Sequence, residues 1–341
     1  MKKTLYPPMK TRFAAGVSLF FLAPFVGEFL LGNLPVTMFY LMPVLALLYG
    51  GGALLIRETA VRLNLNKAGL LLLCLAYGIV EEAFNTQSLF DPNYLGLRLL
   101  DYGYVPFLKM GSWWTVYVLG IHIIWSTAVP VLLIDYLFPK AKGKPVLGIA
   151  GIVVVAAGFA FAAFAPLVNR PEQAFMASGQ QFMIAGIAVI LLCLLAILGF
   201  RKRNGKEKIT GNVPSPLSMG IISLLLGSGF MALTFVTTYI PAWLNVTGML
   251  LLFTAGGVLF GLLSRRSGWS PKHTLYVVGG LLFTYLWFGF VQTPSIGAIT
   301  PLQDILGNIL FSLVAVGVFI LAHQTPFGAH LRGSVAQSNS I

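Results

Sequence analysis

Acidic residues are scarce in this chain, with ten Asp and Glu among 341 residues, and histidine is scarcer still at four. Cysteine appears twice, as Cys74 and Cys193, each inside an apolar run. That pattern gives neither a disulfide framework nor a cysteine-based metal site, and both thiols read as packing residues. A GxSxG nucleophile turn, an HExxH pair, a histidine cluster with metal-ligand spacing and a GxxxxGK[ST] phosphate loop are all missing. No metal or other cofactor is therefore expected, and transport, if any, is not driven by ATP hydrolysis on this chain. Long polar stretches are lacking too, so no soluble domain of independent size is expected.

What remains is apolar: 57% of residues are hydrophobic, 9% are charged and the mean hydropathy is +0.85. Runs between charges reach the roughly 20 residues that a helix rising 1.5 Å per residue needs to cross about 30 Å of hydrocarbon. The fold class is therefore all-α, a polytopic transmembrane bundle of ten spans. They run Phe13–Leu31, Val36–Ile56, Lys67–Leu89, Trp113–Phe138, Val146–Val168, Gln181–Phe200, Leu217–Tyr239, Asn245–Ser264, His273–Val291 and Gln303–His323. Residues 1–323 form one membrane domain and 324–341 a polar tail.

Basic residues fix an expected orientation. With the N-terminus inside, only Arg98, Lys109 and Arg170 fall outside, leaving 19 of the 22 Lys and Arg on the inner face. Both termini are then cytoplasmic, and the site of residence is the cytoplasmic membrane of a bacterium. The net charge of +12 reflects this topology and the neighbouring lipid headgroups, and gives no support to nucleic-acid binding.

Against this background the stretch AYGIVEEAFNTQSLFDPNY, Ala76–Tyr94, stands out. Glu81 lies roughly 21 Å along the third span from Lys67, His122 roughly 13 Å below the outer end of the fourth, and Glu28 about 22 Å up the first. Glu28, Glu81, Glu82 and His122 thus share one layer in the outer half of the bilayer. Ionisable groups at that depth cost about 2.5 to 3.5 kcal/mol on insertion scales and face bundle interiors or wet cavities.

Tyr77, Glu81, Asn85 and Ser88 form one polar stripe, with Gly78, Glu82 and Thr86 about 100° round. One glutamate is therefore expected to serve the site while the other bonds a neighbouring helix. His122, Trp125 and Ser126 share a face of the fourth span, a turn above Pro130. Arg98 or Lys109 from the outer loop, protonated His122, a bound cation or carboxyl protonation are the means of neutralising the glutamates. The outer loop itself, with a turn at Asp91-Pro92-Asn93, is placed either to cover the layer or to lie on the membrane surface as a connector.

Gly78-Ile-Val-Glu81-Glu82-Ala-Phe-Asn-Thr86 resembles the Gly-x-x-Glu-Glu-x-x-x-Arg motif of the CPBP intramembrane proteases, which include the type II CAAX prenyl endopeptidases. The resemblance implies that Glu82 and His122, on successive helices, activate water for hydrolysis of a membrane-embedded peptide. Thr86 replaces the family's Arg, Val118 replaces the Phe of Phe-x-x-x-His, and no His-x-x-x-Asn pair follows.

The leading expectation is binding or permeation of a small solute or proton by Glu81, Glu82, Asn85, His122, Ser126 and Glu28. A CPBP-like hydrolase, intact or degenerate, with Glu82 and His122 catalytic, and a non-catalytic membrane scaffold are the alternatives.

The orientation is directly testable. A cysteine near Gly205 should react only with reagents that reach the cytoplasm and one near Tyr102 only from outside; the opposite labelling would overturn the assignment.

Overall fold

The computed structural model describes residues 6–168, 171, 174–202 and 208–325. Lys2, Lys3, Arg170, Arg203, Lys206, His330, Arg332 and all but the first two residues of the expected tail lie outside them. Ten long helices occupy the ten expected spans: α1 (Met9–Leu30), α2 (Val36–Arg62), α3 (Lys67–Asn85), α4 (Ser112–Leu137), α5 (Ile149–Val168), α6 (Gly179–Gly199), α7 (Pro216–Val236), α8 (Ala242–Leu263), α9 (Pro271–Phe288) and α10 (Pro301–Gln324). Among the described residues all but α9 are long and apolar enough to cross a membrane by length and composition, and α9 is 18 residues long. The chain is a polytopic helical membrane protein.

Helix ends follow local chemistry. The side chain of Asn66 caps α3, and Ser178, Ser270 and Thr300 form capping boxes at the starts of α6, α9 and α10. His273 is part of the α9 box. Asp304, in the first turn of α10, accepts from Asn308 at 3.2 Å.

The helices are not equivalent. In α4 78% of the most apolar window is buried inside the protein, against 6% in α5 and 11% in both α6 and α8. Helix α4 is thus the axis of the molecule, while α5, α6 and α8 turn broad apolar faces such as Val153, Phe161, Ile190 and Leu251 outward to lipid. Helices α1, α2, α3, α8, α9 and α10 all pack on α4.

Four helices change register at one level. Phe25–Leu30 in α1, Ala46–Gly50 in α2, Glu81–Asn85 in α3 and His122–Ala128 in α4 are π-helical turns. Such turns leave the regular ladder and recur at functional sites. Two adjoin prolines: Pro24 immediately precedes the turn in α1, and Pro130 follows the turn in α4. A proline that lacks an N–H and crowds the preceding turn favours that local change.

Residues 86–111 connect α3 to α4 at the end of the bundle opposite most basic residues. The Asp91 side chain accepts from Asn93 N at 2.9 Å, as the expected turn requires. A short hairpin that the sequence pattern does not reveal follows, pairing β1 (Tyr104–Val105) with β2 (Met110–Gly111). Tyr102 ties this connection to the α7–α8 corner by donating to Ile240 O at 2.7 Å.

At the basic end the second span extends past its expected stop at Ile56, and the helix carries Arg57 and Glu58 into the interior, each 2% exposed. Arg57 donates to Asp135 at 2.8 Å and to Ala141 O at 2.8 Å; Glu58 accepts from Arg62 at 3.0 Å and from Val146 N at 2.6 Å. Asp135 is thus an ion-pair partner of Arg57. Because these charges are satisfied by one another and by backbone groups, the helix needs no boundary there.

Removing one member strands the others. Arg57→Met should lower unfolding stability in detergent by about 3 to 5 kcal/mol, read by thermal or denaturant unfolding; an unchanged transition would show that the network carries no stability.

Candidate functional site

Helices α1 to α4 deliver five ionisable or phenolic groups, Glu28, Tyr49, Glu81, Glu82 and His122, to the level of the π turns. His122 lies ten residues into α4, about 15 Å down its axis at 1.5 Å per residue. Gly78, one turn before Glu82 on α3, permits the approach, since a Cβ there would stand 3.0 Å from the His122 Cβ. Gly52 on α2 serves Tyr77 similarly: its Cβ would fall 2.4 Å from the phenol ring. The result is an imidazole set between the aromatic rings of Tyr49 and Tyr77, at centroid distances of 6.1 and 6.0 Å.

Both glutamates reach that imidazole. His122 Nε2 lies 2.6 Å from Glu82 Oε1, and Nδ1 lies 3.2 Å from Glu81 Oε2. This corrects the expectation that one acid would serve the site while the other served a neighbouring helix. A regular α-helix separates adjacent side chains by about 100°, but the wider π turn beginning at Glu81 relaxes that phase, and the two carboxylates embrace opposite edges of one ring.

The two contacts differ in kind. Glu82 is held from all sides: its Oε2 accepts from Thr86 Oγ1 at 2.9 Å and from the Ser88 hydroxyl, which itself accepts from Trp114 Nε1 at 2.9 Å. Glu81 Oε2 and His122 Nδ1 face each other without the alignment of a hydrogen bond, and both are buried.

Glu28 completes the layer from α1, accepting from the Tyr49 hydroxyl and from Asn33 Nδ2 at 2.6 Å. Ser295, in the α9–α10 connection, donates to the Asn33 side chain. Tyr49 is a member of the site that the sequence reading does not include. Among the described residues no lysine or arginine forms an ion pair with Glu28, Glu81 or Glu82. Arg98, expected as a counter-ion, pairs with Asp101 at 2.7 Å on the surface, and Lys109 is exposed.

Glu28, Tyr49, Glu81, Glu82 and His122 line a cavity of about 260 Å³. Its upper wall comes from Tyr94, Leu95, Leu97 and Leu99 of the α3–α4 connection and from Trp113, Trp114 and Tyr117 at the start of α4. The connection thus covers the layer. Towards the basic end, Ala53, Cys74 and Thr127, each 0% exposed, pack beneath the site. Its lining by residues of the α3–α4 connection places the cavity near the hairpin end of the bundle.

Two expected members lie elsewhere. Asn85 turns to α5, donating to Ala162 O at 2.7 Å. Ser126 packs against α1, where a Cβ on Gly27 would meet its hydroxyl at 3.0 Å. Gln87, in the same polar stretch, is also structural: it accepts from Ala177 N at 2.8 Å and so fixes the α5–α6 connection.

A bundle of ten long helices around an intramembrane carboxylate and imidazole layer defines an integral, multi-pass membrane protein. The chain belongs to an uncharacterized membrane protein family, whose pattern matches residues 18–323 and so spans every residue of the layer. No curated protein and no solved structure matches the chain.

The anchoring of Glu82 makes a coupled set. Ser88→Ala leaves both the Trp114 indole N–H and a carboxylate oxygen short of a partner and should cost about 1 to 3 kcal/mol. In a double-mutant cycle with Trp114→Phe the losses should be non-additive by at least about 0.5 kcal/mol; strictly additive unfolding energies would separate the indole from the carboxylate.

Proposed function

We propose that the chain is a carrier or permeation protein whose cavity takes up a small positively charged solute, or a proton, from the outer side of a bacterial cytoplasmic membrane. One observation carries this reading: three carboxylates and one imidazole converge on a single cavity with no lysine or arginine pairing them among the described residues. Even with His122 protonated, three ionised carboxylates would leave the pocket net negative. A cation or a hydrogen-bond donor entering it gains what the protein does not supply.

The orientation rests on the basic residues, which accumulate at the end away from the hairpin. The π turns and prolines at the level of the site give α1 and α4 a place to bend, as alternating access demands. The size of the cavity suits a small ion or amine rather than a bulky metabolite.

A CPBP-like hydrolase is the second reading, favoured by the 2.6 Å contact of Glu82 with His122. A carboxylate and imidazole so placed suit general-base activation of water. The chain has Thr86 and Val118 where that family carries Arg and Phe, and among the described residues no lysine or arginine lines the cavity to stabilise an oxyanion.

Vesicles containing the full chain separate the two. Proton or small-cation flux should be present in the wild type and fall at least tenfold in Glu81→Gln and in Glu82→Gln. Cleavage of a membrane-embedded peptide that requires both Glu82 and His122 would overturn the carrier reading in favour of the hydrolase.

A further inference from the structure

Glu82 accepts from the hydroxyls of Thr86 and Ser88, which marks it as a carboxylate acceptor. The hydrogen-bond network therefore assigns the proton on His122 to Nε2, pointing at Glu82. In that tautomer Nδ1 presents a lone pair, and it faces Glu81 Oε2, another lone-pair donor, at 3.2 Å. Two such atoms do not attract each other. A proton on Nδ1 would turn the contact into an ion pair, yet no aligned hydrogen bond joins the two atoms at 3.2 Å.

We infer that Glu81 Oε2 and His122 Nδ1 together coordinate a first-row divalent transition-metal ion, with zinc(II) as the type. This rests on, and narrows, the reading of the cavity as a site for positive charge. Donors each about 2.1 Å from a metal and 3.2 Å apart subtend an angle of about 100°, between octahedral and tetrahedral values. The imidazole donor disfavours calcium and magnesium, which prefer all-oxygen shells.

The surroundings have the form such an ion requires. Metal-bound histidine ordinarily donates its other ring N–H to a carboxylate, and here Glu82 receives it at 2.6 Å. Tyr77 adds a third buried polar atom, its hydroxyl, without an aligned hydrogen-bond partner beside the imidazole. Ligand atoms of Glu81, Glu82 and His122 all lie within 4.8 Å of one another. Because only two protein donors come from Glu81 and His122, coordination positions remain for cavity water, a shell suited to an ion that is taken up and released. The ligands come from two helices, so the sequence lacks the close spacing that marks most metal motifs.

The test is equilibrium dialysis of zinc(II) against the full chain, folded in detergent and first stripped with chelator. One zinc per chain should bind. Glu81→Gln and His122→Gln should abolish binding, Glu82→Gln should weaken it about 10- to 100-fold, and Glu28→Gln should keep the stoichiometry. On the wild type alone, zinc should move the ¹⁵N resonance of His122 Nδ1 and leave Nε2 protonated, a readout that survives if a variant fails to fold. No bound zinc, zinc retained in both Glu81→Gln and His122→Gln, or coordination through Nε2 would overturn the inference. Absence of zinc binding together with cation or proton flux lost in Glu81→Gln would overturn the metal site while leaving the acidic carrier. Zinc bound as described, with no flux of any cation, would do the reverse.

Discussion

The structure depends on the contact of one imidazole with two carboxylates inside a membrane. His122 is 3% exposed, and Glu81 and Glu82 are 2% and 5% exposed. Burying such groups is costly unless they compensate one another. The chain meets that cost with neutral donors: Thr86, Ser88 and Trp114 around Glu82, and Tyr49 and Asn33 around Glu28. Among the described residues it does not meet it with a buried lysine or arginine at this level, although Arg57 shows that it can bury a guanidinium when structure alone is at stake. The difference separates a closed ion-pair network at the basic end from an acidic layer left open to a cavity.

The local backbone follows from that arrangement. Four π turns fall at the level of Glu28, Tyr49, Glu81 and His122. Each changes the direction of side chains that a regular helix would spread over several faces. The aromatic walls and the α3–α4 connection line the cavity above the layer, while Ala53, Cys74 and Thr127 are fully buried on its other side. The peripheral helices are tied to that centre: Asn85, in the π turn of α3, donates to Ala162 O of α5 at 2.7 Å, and Tyr77 packs on Phe159.

Much of this was legible in the amino-acid sequence. Apolar run length locates the ten helices, and a rise of about 1.5 Å per residue puts Glu28, Glu81, Glu82 and His122 in one layer. The helical period misassigned Asn85 and divided Glu81 from Glu82, because it presumes 3.6 residues per turn where the chain forms a π turn. Tyr49 was overlooked as one more aromatic in an apolar run; the Gly50-Gly51-Gly52 that follows was the available sign of a crowded crossing. Arg57 and Glu58 looked like a membrane boundary because their partners, Asp135 and the backbone of residues 141–147, lie far away in sequence.

The central claim is that Glu28, Glu81 and Glu82 make a negative cavity reached from one side. It is tested most directly by charge-selective labelling of a cysteine in the cavity wall. Ile121→Cys, in a chain whose Cys74 and Cys193 are replaced by alanine, should react from the hairpin side at least tenfold faster with a cationic thiosulfonate than with an anionic one of the same size. That preference should collapse when Glu81 and Glu82 are both changed to glutamine. Equal rates for the two reagents, or labelling only from the basic side, would contradict the account.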